Sequence, residues 1–101
     1  MLKQKQYIRA ILKEPSKPPE VIIIENTLSA LQKAVGGHIE VVSFASDACF
    51  ICNEEGRLLG LEPNAELLGV DFVGNVLCVG VCGEDFCDLP QEGIQLLLRE
   101  M

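Results

Sequence analysis

The chain has 101 residues, of which 49% are hydrophobic and 23% charged, a composition typical of one small globular domain and not of a disordered chain. No segment approaches the roughly 20 consecutive apolar residues of a transmembrane helix, so we expect no membrane partner. The formal net charge is −7; residues 34–101 carry two basic and twelve acidic side chains, and residues 1–33 carry six basic and three acidic ones. Because nucleic-acid backbones are bound by clustered cations, this distribution argues against direct binding to DNA or RNA.

The N-terminal segment does not read as a secretory signal. It is basic, and polar residues such as Gln4, Gln6 and Arg9 interrupt any apolar core. We therefore expect a cytoplasmic protein that folds as a single domain over residues 1–101, with the order of residues 1–6 left open. A chain of this length buries roughly two-thirds of its surface on folding, which is enough for one modest core.

Two strands are predicted at the start of the chain. The first covers residues 7–12, and a turn with three prolines at 14–20 follows it, because proline fixes φ and removes a backbone donor. The second covers residues 21–24, a β-branched run. Its lack of alternation favours a strand that is covered on both faces.

A helix is predicted over residues 26–36. Asn26 or Thr27 can cap its N-terminus with a side-chain oxygen. Apolar residues recur at i, i+3 and i+7 from Leu28, which places them on one face. Gly36 can adopt the left-handed conformation at low cost and is expected to end the helix.

The middle of the chain predicts a hairpin and a turn. Strands at 39–44 and 49–53 are joined by a short turn at 45–48. Gly56 is expected to supply a positive φ in the turn that follows. Residues 57–59 could then return as a short strand.

The last third predicts one long strand and a closing helix. Residues 61–64 are expected to start a loop or a single helical turn. The strand covers 72–81, with Gly74 and Gly80 marking a bulge or a close approach of another segment. A turn-rich connection at 82–88 follows it.

The closing helix is predicted over residues 89–100, with apolar positions i, i+3, i+4 and i+7 from Ile94. Asp88 or Leu89 is expected to cap it, and Pro90 suits its first turn. Consecutive strands with short joins indicate antiparallel pairing. The predicted fold is therefore α+β: a curved, mostly antiparallel sheet of about five or six strands with helices at 26–36 and 89–100, one or both of them on one face of the sheet.

Five cysteines offer a candidate metal or redox site. In a cytoplasmic protein we expect their thiols to be reduced. Cys49 and Cys52 have the spacing of a zinc or redox pair, but positions i and i+3 of a strand face opposite sides of a sheet. We therefore predict buried hydrophobic cysteines, with a zinc-stabilised binding module as an alternative.

No catalytic residue, cofactor or metal ligand is predicted. The chain contains no nucleophile elbow, Gly-rich phosphate loop or calcium loop. Its single histidine, His38, is expected to be a half-buried filler. We predict that the protein is not an enzyme.

Three blocks of sequence resemble a family of short bacterial and phage proteins catalogued as a domain of unknown function. They lie at 26–42, at 52–64 and at 74–80, and the likeness extends from about Tyr7 to Leu98. The resemblance implies a bacterial host and mobile elements such as phages. It implies no activity, cofactor or catalytic residue.

Polar loop residues are the candidate interaction surface, because binding often lies on loops held by a rigid sheet. They are Asn53, Glu54, Glu55, Pro63 and Asn64. We predict a non-catalytic accessory or protein-interaction module that binds a protein partner through these loops or an exposed sheet edge. A homodimer and an acidic, DNA-mimicking antagonist of a DNA-binding protein are alternatives.

Overall fold

A computed structural model describes residues 6–101; apart from Gln6, the segment 1–6 whose order the sequence left open lies outside the described residues. Within them the chain forms eight strands and two helices. In chain order they are β1 (Tyr7–Lys13), β2 (Glu20–Glu25), α1 (Leu28–Val35), β3 (Ile39–Ala45), β4 (Ala48–Asn53), β5 (Pro63–Leu67), β6 (Val70–Val73), β7 (Val76–Cys82), β8 (Asp85–Cys87) and α2 (Gln91–Glu100). The predicted α+β class is confirmed.

The main sheet has the strand order β2-β1-β7-β4-β3, and all of its described pairings are antiparallel. Strand β7 lies at its centre. One edge of β7 pairs with β4, while the other edge pairs first with β1 and then with β8. Strands β5 and β6 form a separate hairpin. The sheet is therefore open, with β2 and β3 as its outer strands.

The core has two layers, one on each face of this sheet. On one face Leu31 and Val35 of α1 pack against residues such as Cys49 and Leu77. On the other face Ile94 and Leu97 of α2 join a second cluster. The two helices therefore lie on opposite faces, a point that the sequence left open. Alternation along β4 and β7 sends buried side chains to both faces, so each face needs its own cover.

The β5–β6 hairpin covers the α2 face beside the helix. Its Phe72 lies against Phe50 of β4 with ring centroids 5.1 Å apart in an edge-to-face arrangement. Phe44 of β3 also lies against Phe50, with ring centroids 4.5 Å apart. Edge-to-face and offset ring pairs stabilise by about 1 kcal/mol beyond the burial of their area. Phe72 thereby anchors the hairpin to the main sheet.

Strand β2 is an outer strand and is not covered on both faces, contrary to the sequence prediction. The side chains of Val21 and Ile23 are exposed at 44% and 64%, whereas Ile22 and Ile24 are half-buried against the α1 face. A run of β-branched residues therefore meant high strand propensity here and not double cover.

The predicted long strand at 72–81 is two strands from two different sheets. Gly74 has φ +71° and a Cβ on it would lie 2.7 Å from Leu61 Cδ1, so the chain turns tightly at this residue. Residues before it belong to β6 and residues after it to β7. Of the loop or helical turn expected at 61–64, residues 61–62 are irregular and residues 63–64 begin β5. The short strand expected at 57–59 is part of a turn.

Both helices begin close to their predicted positions, but only α1 has a side-chain cap. Thr27 Oγ1 accepts a hydrogen bond of 3.1 Å from Ala30 N, and Gly36 ends the helix with φ +82°. Pro90 is the N-cap of α2 and makes no side-chain hydrogen bond, so neither Asp88 nor Leu89 caps that helix. Across residues 6–101, neither helix reaches the length and hydropathy that crossing a bilayer requires.

Candidate functional site

The structure places all five candidate surface residues in or beside the β5–β6 hairpin. Asn53, Glu54 and Glu55 line a cleft of about 220 Å³ between the end of β4 and β6, which we call the β6 cleft. Pro63 and Asn64 line an adjoining cleft on the β5 side. The two segments that the sequence singled out therefore line two adjoining clefts, one on the β6 side and one on the β5 side of the hairpin.

A hydrogen-bonded turn at 54–60 forms one side of the β6 cleft. Its backbone bonds include Leu59 N to Glu55 O at 2.9 Å and Leu61 N to Gly56 O at 3.0 Å. Gly56 does not have the positive φ that the sequence suggested. A Cβ there would lie 2.9 Å from Val73 Cγ2, so glycine lets the turn pack closely against β6.

Asn53 is a structural residue of this turn. It is buried, its Nδ2 donates to Val35 O at the end of α1 at 3.2 Å, and its Oδ1 accepts from Glu55 N at 2.8 Å. One side chain thus joins α1, β4 and the turn. Its polar atoms are used inside the protein and do not face the cleft as free contacts.

Asn64, in the cleft on the β5 side, is likewise a structural residue. Its Nδ2 donates to Lys13 O at 2.8 Å and to Gly74 O at 2.7 Å, and its Oδ1 accepts from Lys13 Nζ at 3.0 Å. The amide thereby ties β5 to the end of β1 and to the Gly74 turn. Of the five candidates, Glu54, Glu55 and Pro63 are the exposed ones.

Four further residues that line the β6 cleft were not among the candidate surface residues. Arg57 and Leu58 come from the turn, and Val70 and Asp71 come from β6. Arg57 Nη2 donates to Asp71 O at 2.8 Å and joins the turn to β6. Leu58 is 85% exposed and its neighbour Leu59 60% exposed. Two adjacent leucines in a turn that begins with Glu54-Glu55-Gly56 were the available signal for this exposure.

Cys52 and Glu40 line the part of the cleft that the main sheet provides. Cys52 Sγ donates to Glu40 Oε1 at 3.9 Å. Burial, together with the smaller effects of the charge and the hydrogen bond of Glu40, raises the pKa of the Cys52 thiol to about 11. Since the thiolate is the nucleophilic form of cysteine, a thiol with this pKa stays protonated and unreactive at neutral pH.

The cysteines do not gather into a metal site. Cys49 belongs to the α1 face and Cys52 to the α2 face, so the prediction that this pair points to opposite sides is confirmed. Cys49, Cys52 and Cys78 are free and buried, as expected of small apolar side chains. Among residues 6–101 no group of three or more potential ligands is close enough to hold a metal ion.

Cys82 and Cys87 form a disulfide, so the expectation of five reduced thiols is wrong for this pair. They lie diagonally across the β7–β8 hairpin, where Cys82 pairs with Asp85 and Cys87 with Gly80. Gly83 has φ +64° in the two-residue connection, which brings the strands within bonding distance.

The prediction that His38 is half-buried is also wrong, because this side chain is exposed.

Comparison with known families gives one result. A family model with the description "Domain of unknown function (DUF3846)" matches residues 8–101. This match confirms the resemblance noted in the sequence. No curated protein and no solved structure matches the chain. The description assigns no activity or partner, so a function has to be argued from the geometry of the site.

Proposed function

The chain belongs to the family described as Domain of unknown function (DUF3846), and from this premise we propose that the protein is a non-catalytic accessory module that binds another protein at the β6 cleft. The exposure of Leu58, at 85%, is the observation that carries the proposal. The leucine lies on a turn fixed by backbone hydrogen bonds and beside a cleft. Exposed apolar side chains on a rigid loop are typical of interaction surfaces.

The absence of catalysis is part of the same proposal. Cys52 is the nucleophilic residue type that lines the cleft, and its raised pKa keeps it as a neutral thiol. Both polar atoms of the Asn53 side-chain amide make hydrogen bonds to backbone groups. These groups support the fold of the cleft. The cleft therefore offers recognition and no activated nucleophile.

The biological setting is proposed on the sequence resemblance. It favours an accessory protein of bacteria, phages or other mobile elements that acts in the cytoplasm. Three free cysteines fit a reducing compartment, whereas the Cys82–Cys87 disulfide fits an oxidising one. Thiol trapping in living cells, before lysis, would measure the redox state of this pair.

The proposal is tested by site-specific photocrosslinking in host cells. A photoreactive amino acid at Leu58 is expected to give a discrete crosslinked species with a second protein, and one at Leu96 is the matched control. Leu96 is also an exposed leucine, 56% against 85%, but it lies on α2. The crosslinked partner, once purified, should bind Leu96→Ser as it binds the unmodified chain and lose binding to the double variant Leu58→Ser/Leu59→Ser. Equal binding to both variants would refute the proposal.

Two alternatives from the sequence are kept as proposals with their own tests. A homodimer through β2 is favoured by exposed Val21 and Ile23 on an outer strand, and Ile23→Lys should then lower the mass measured by sedimentation. An acidic antagonist of a DNA-binding protein needs carboxylates along one face. The acidic pairs Glu54–Glu55 and Glu84–Asp85 line different clefts. The test of this alternative is whether the chain competes with DNA for binding to such a protein.

A further inference from the structure

The β6 cleft combines negative charge with exposed apolar surface. Four carboxylate residues line it: Glu40, Glu54, Glu55 and Asp71. The cation that lines it is Arg57, whose guanidinium donates to the backbone oxygen of Asp71. The ion pair described within residues 6–101, Lys17–Glu14, lies elsewhere. None of these four carboxylates forms an ion pair with a lysine or arginine of residues 6–101, and they outnumber the single cation of the lining by three.

Leu58 and Val70 supply the apolar part of the same cleft. Leu58 projects from the turn with 85% exposure and Val70 from β6 with 36% exposure. An occupant that covers both side chains removes their apolar area from water, which favours binding. The occupant must therefore offer aliphatic surface as well as charge.

The rest of the chain strengthens the same electrostatic preference. Residues 34–101 carry two basic and twelve acidic side chains, so the field around the cleft attracts cations and repels phosphates. A second copy of the chain does not fit, because a symmetric contact would bring the carboxylates of two β6 clefts together. Like charges placed opposite one another oppose association.

We propose that the β6 cleft binds a cationic, aliphatic segment of a partner protein, in which lysine or arginine side chains lie beside leucine-type side chains. The aliphatic side chains cover Leu58 and Val70, and the cations lie against Glu54, Glu55 and Asp71. Long cationic side chains suit this arrangement, because their methylene stems pack on apolar surface while the charged ends stay at the rim. This inference rests on the proposed function and names the chemistry of the partner.

A peptide titration followed by NMR tests it on the full chain. The probe is a short fluorescent peptide that alternates leucine and lysine, and two matched peptides alternate leucine with glutamate and serine with lysine. The leucine–lysine peptide should shift the amide signals of the turn 54–60 and of β6, and bind more weakly as salt is raised. The two matched peptides should bind at least about tenfold more weakly, since each lacks one of the two interactions.

Charge reversal supplies the matched protein variants. Glu54→Lys/Glu55→Lys changes the β6 cleft, and Glu84→Lys/Asp85→Lys makes the same change in net charge at the tip of the β7–β8 hairpin. All four side chains are exposed, so both variants are expected to fold. The first should weaken the leucine–lysine peptide about tenfold or more and the second about twofold or less. Glu54→Gln/Glu55→Gln provides a milder version of the first.

Three results would overturn the inference: equal weakening by both variants, equal binding of the leucine–glutamate peptide, or no shift at the cleft with the leucine–lysine peptide. The crosslinking experiment separates this failure from failure of the proposed function. A crosslinked partner at Leu58 together with no preference for the cationic peptide would leave an interaction module whose partner is not cationic. Loss of both results would refute both proposals.

Discussion

Asn53, which is buried, and Asn64, which is half-buried, show how much of this site depends on single side-chain amides. Each side chain makes hydrogen bonds to two separate segments of backbone, and together they hold the turn 54–60 and the start of β5 beside the main sheet. A buried amide with satisfied hydrogen bonds fixes one arrangement of its neighbours, because any other leaves polar groups without partners. The exposed residues of the cleft are positioned through these two residues.

Replacement of Asn53 by alanine is expected to lower the free energy of unfolding by about 2 kcal/mol, because two hydrogen bonds in a buried setting are lost. Asn75→Ala is the matched control. Asn75 Nδ2 donates one bond of 3.0 Å to Ala34 O, next to the carbonyl that Asn53 contacts, and about 1 kcal/mol should be lost. Urea unfolding of the two variants measures the difference. Equal losses would contradict the bridging role of Asn53.

Replacement of Gly80 and of Gly93 by alanine should change the free energy of unfolding in opposite directions. A Cβ on Gly80 would meet the backbone carbonyl of Asp88, whose carbon is 2.8 Å away, so Gly80→Ala should destabilise by at least about 2 kcal/mol. A Cβ on Gly93 in α2 makes only ordinary contact with Leu89 at 3.6 Å. Gly93→Ala should stabilise by about 0.5 to 1 kcal/mol, because alanine has the higher helix propensity. Thermal unfolding of both variants decides, and a stabilised Gly80→Ala would be incompatible with the close approach.

At the scale of elements, the β5–β6 and β7–β8 hairpins are stabilised by different interactions. The β5–β6 hairpin has Leu68 and Gly69 at its tip, both with positive φ, and is held to the core by Phe72. The β7–β8 hairpin has Gly83 at its tip and the Cys82–Cys87 disulfide across it. Strand β8 has three residues, so backbone pairing alone provides little stabilisation. The disulfide is the added restraint.

Reduction of the disulfide is expected to lower the free energy of unfolding by about 2 kcal/mol, a small value because the closed loop is short, with a sequence separation of 5. Urea unfolding with and without reductant measures it, and Cys82→Ser/Cys87→Ser should be insensitive to reductant. A thiol count accompanies the experiment. Three thiols should react after unfolding without reductant and five after reduction. Five thiols in the unreduced, unfolded chain would show that the bond is not formed in that preparation.

At the scale of the whole molecule, the main sheet is buried on both faces at its centre, and three free thiols lie there. Burial raises the pKa of Cys49 to about 11 and of Cys78 to about 12 from 9.0. The folded state therefore holds these protons more tightly than the unfolded chain does. Their contribution to stability is fully present below pH 9 and is lost as the pH rises through the raised values.

We therefore expect the free energy of unfolding to fall between pH 9 and about pH 12 and to fall less steeply in Cys78→Ala, because this variant lacks the thiol whose pKa rises to about 12. Urea unfolding at a series of pH values, with Cys52→Ala as a second variant, provides the measurement. The comparison of slopes removes the contributions of lysine and tyrosine, which all three proteins share. Identical alkaline slopes in all three proteins would contradict the assignment.

Local features of the amino-acid sequence were enough to predict most of the elements. Helix α1 follows from a threonine cap, an apolar repeat and a glycine stop, and β3 and β4 follow from short β-rich runs on either side of a polar turn. The opposite orientation of Cys49 and Cys52 follows from strand geometry alone. These are interactions between residues a few positions apart, and the sequence states them directly.

Tertiary structure decided the rest, because contacts between distant segments determine it. Gly74 lies between the two sheets, and the Leu61 side chain occupies the space that a Cβ on Gly74 would need. Gly56 allows the turn to pack closely against Val73. The pairing of Cys82 with Cys87 depends on the β7–β8 register, and the cover of both sheet faces depends on where α2 returns. The β6 cleft likewise exists only where β6 meets the turn after β4. Composition and spacing gave its acidic residues, but the fold alone placed them beside Leu58.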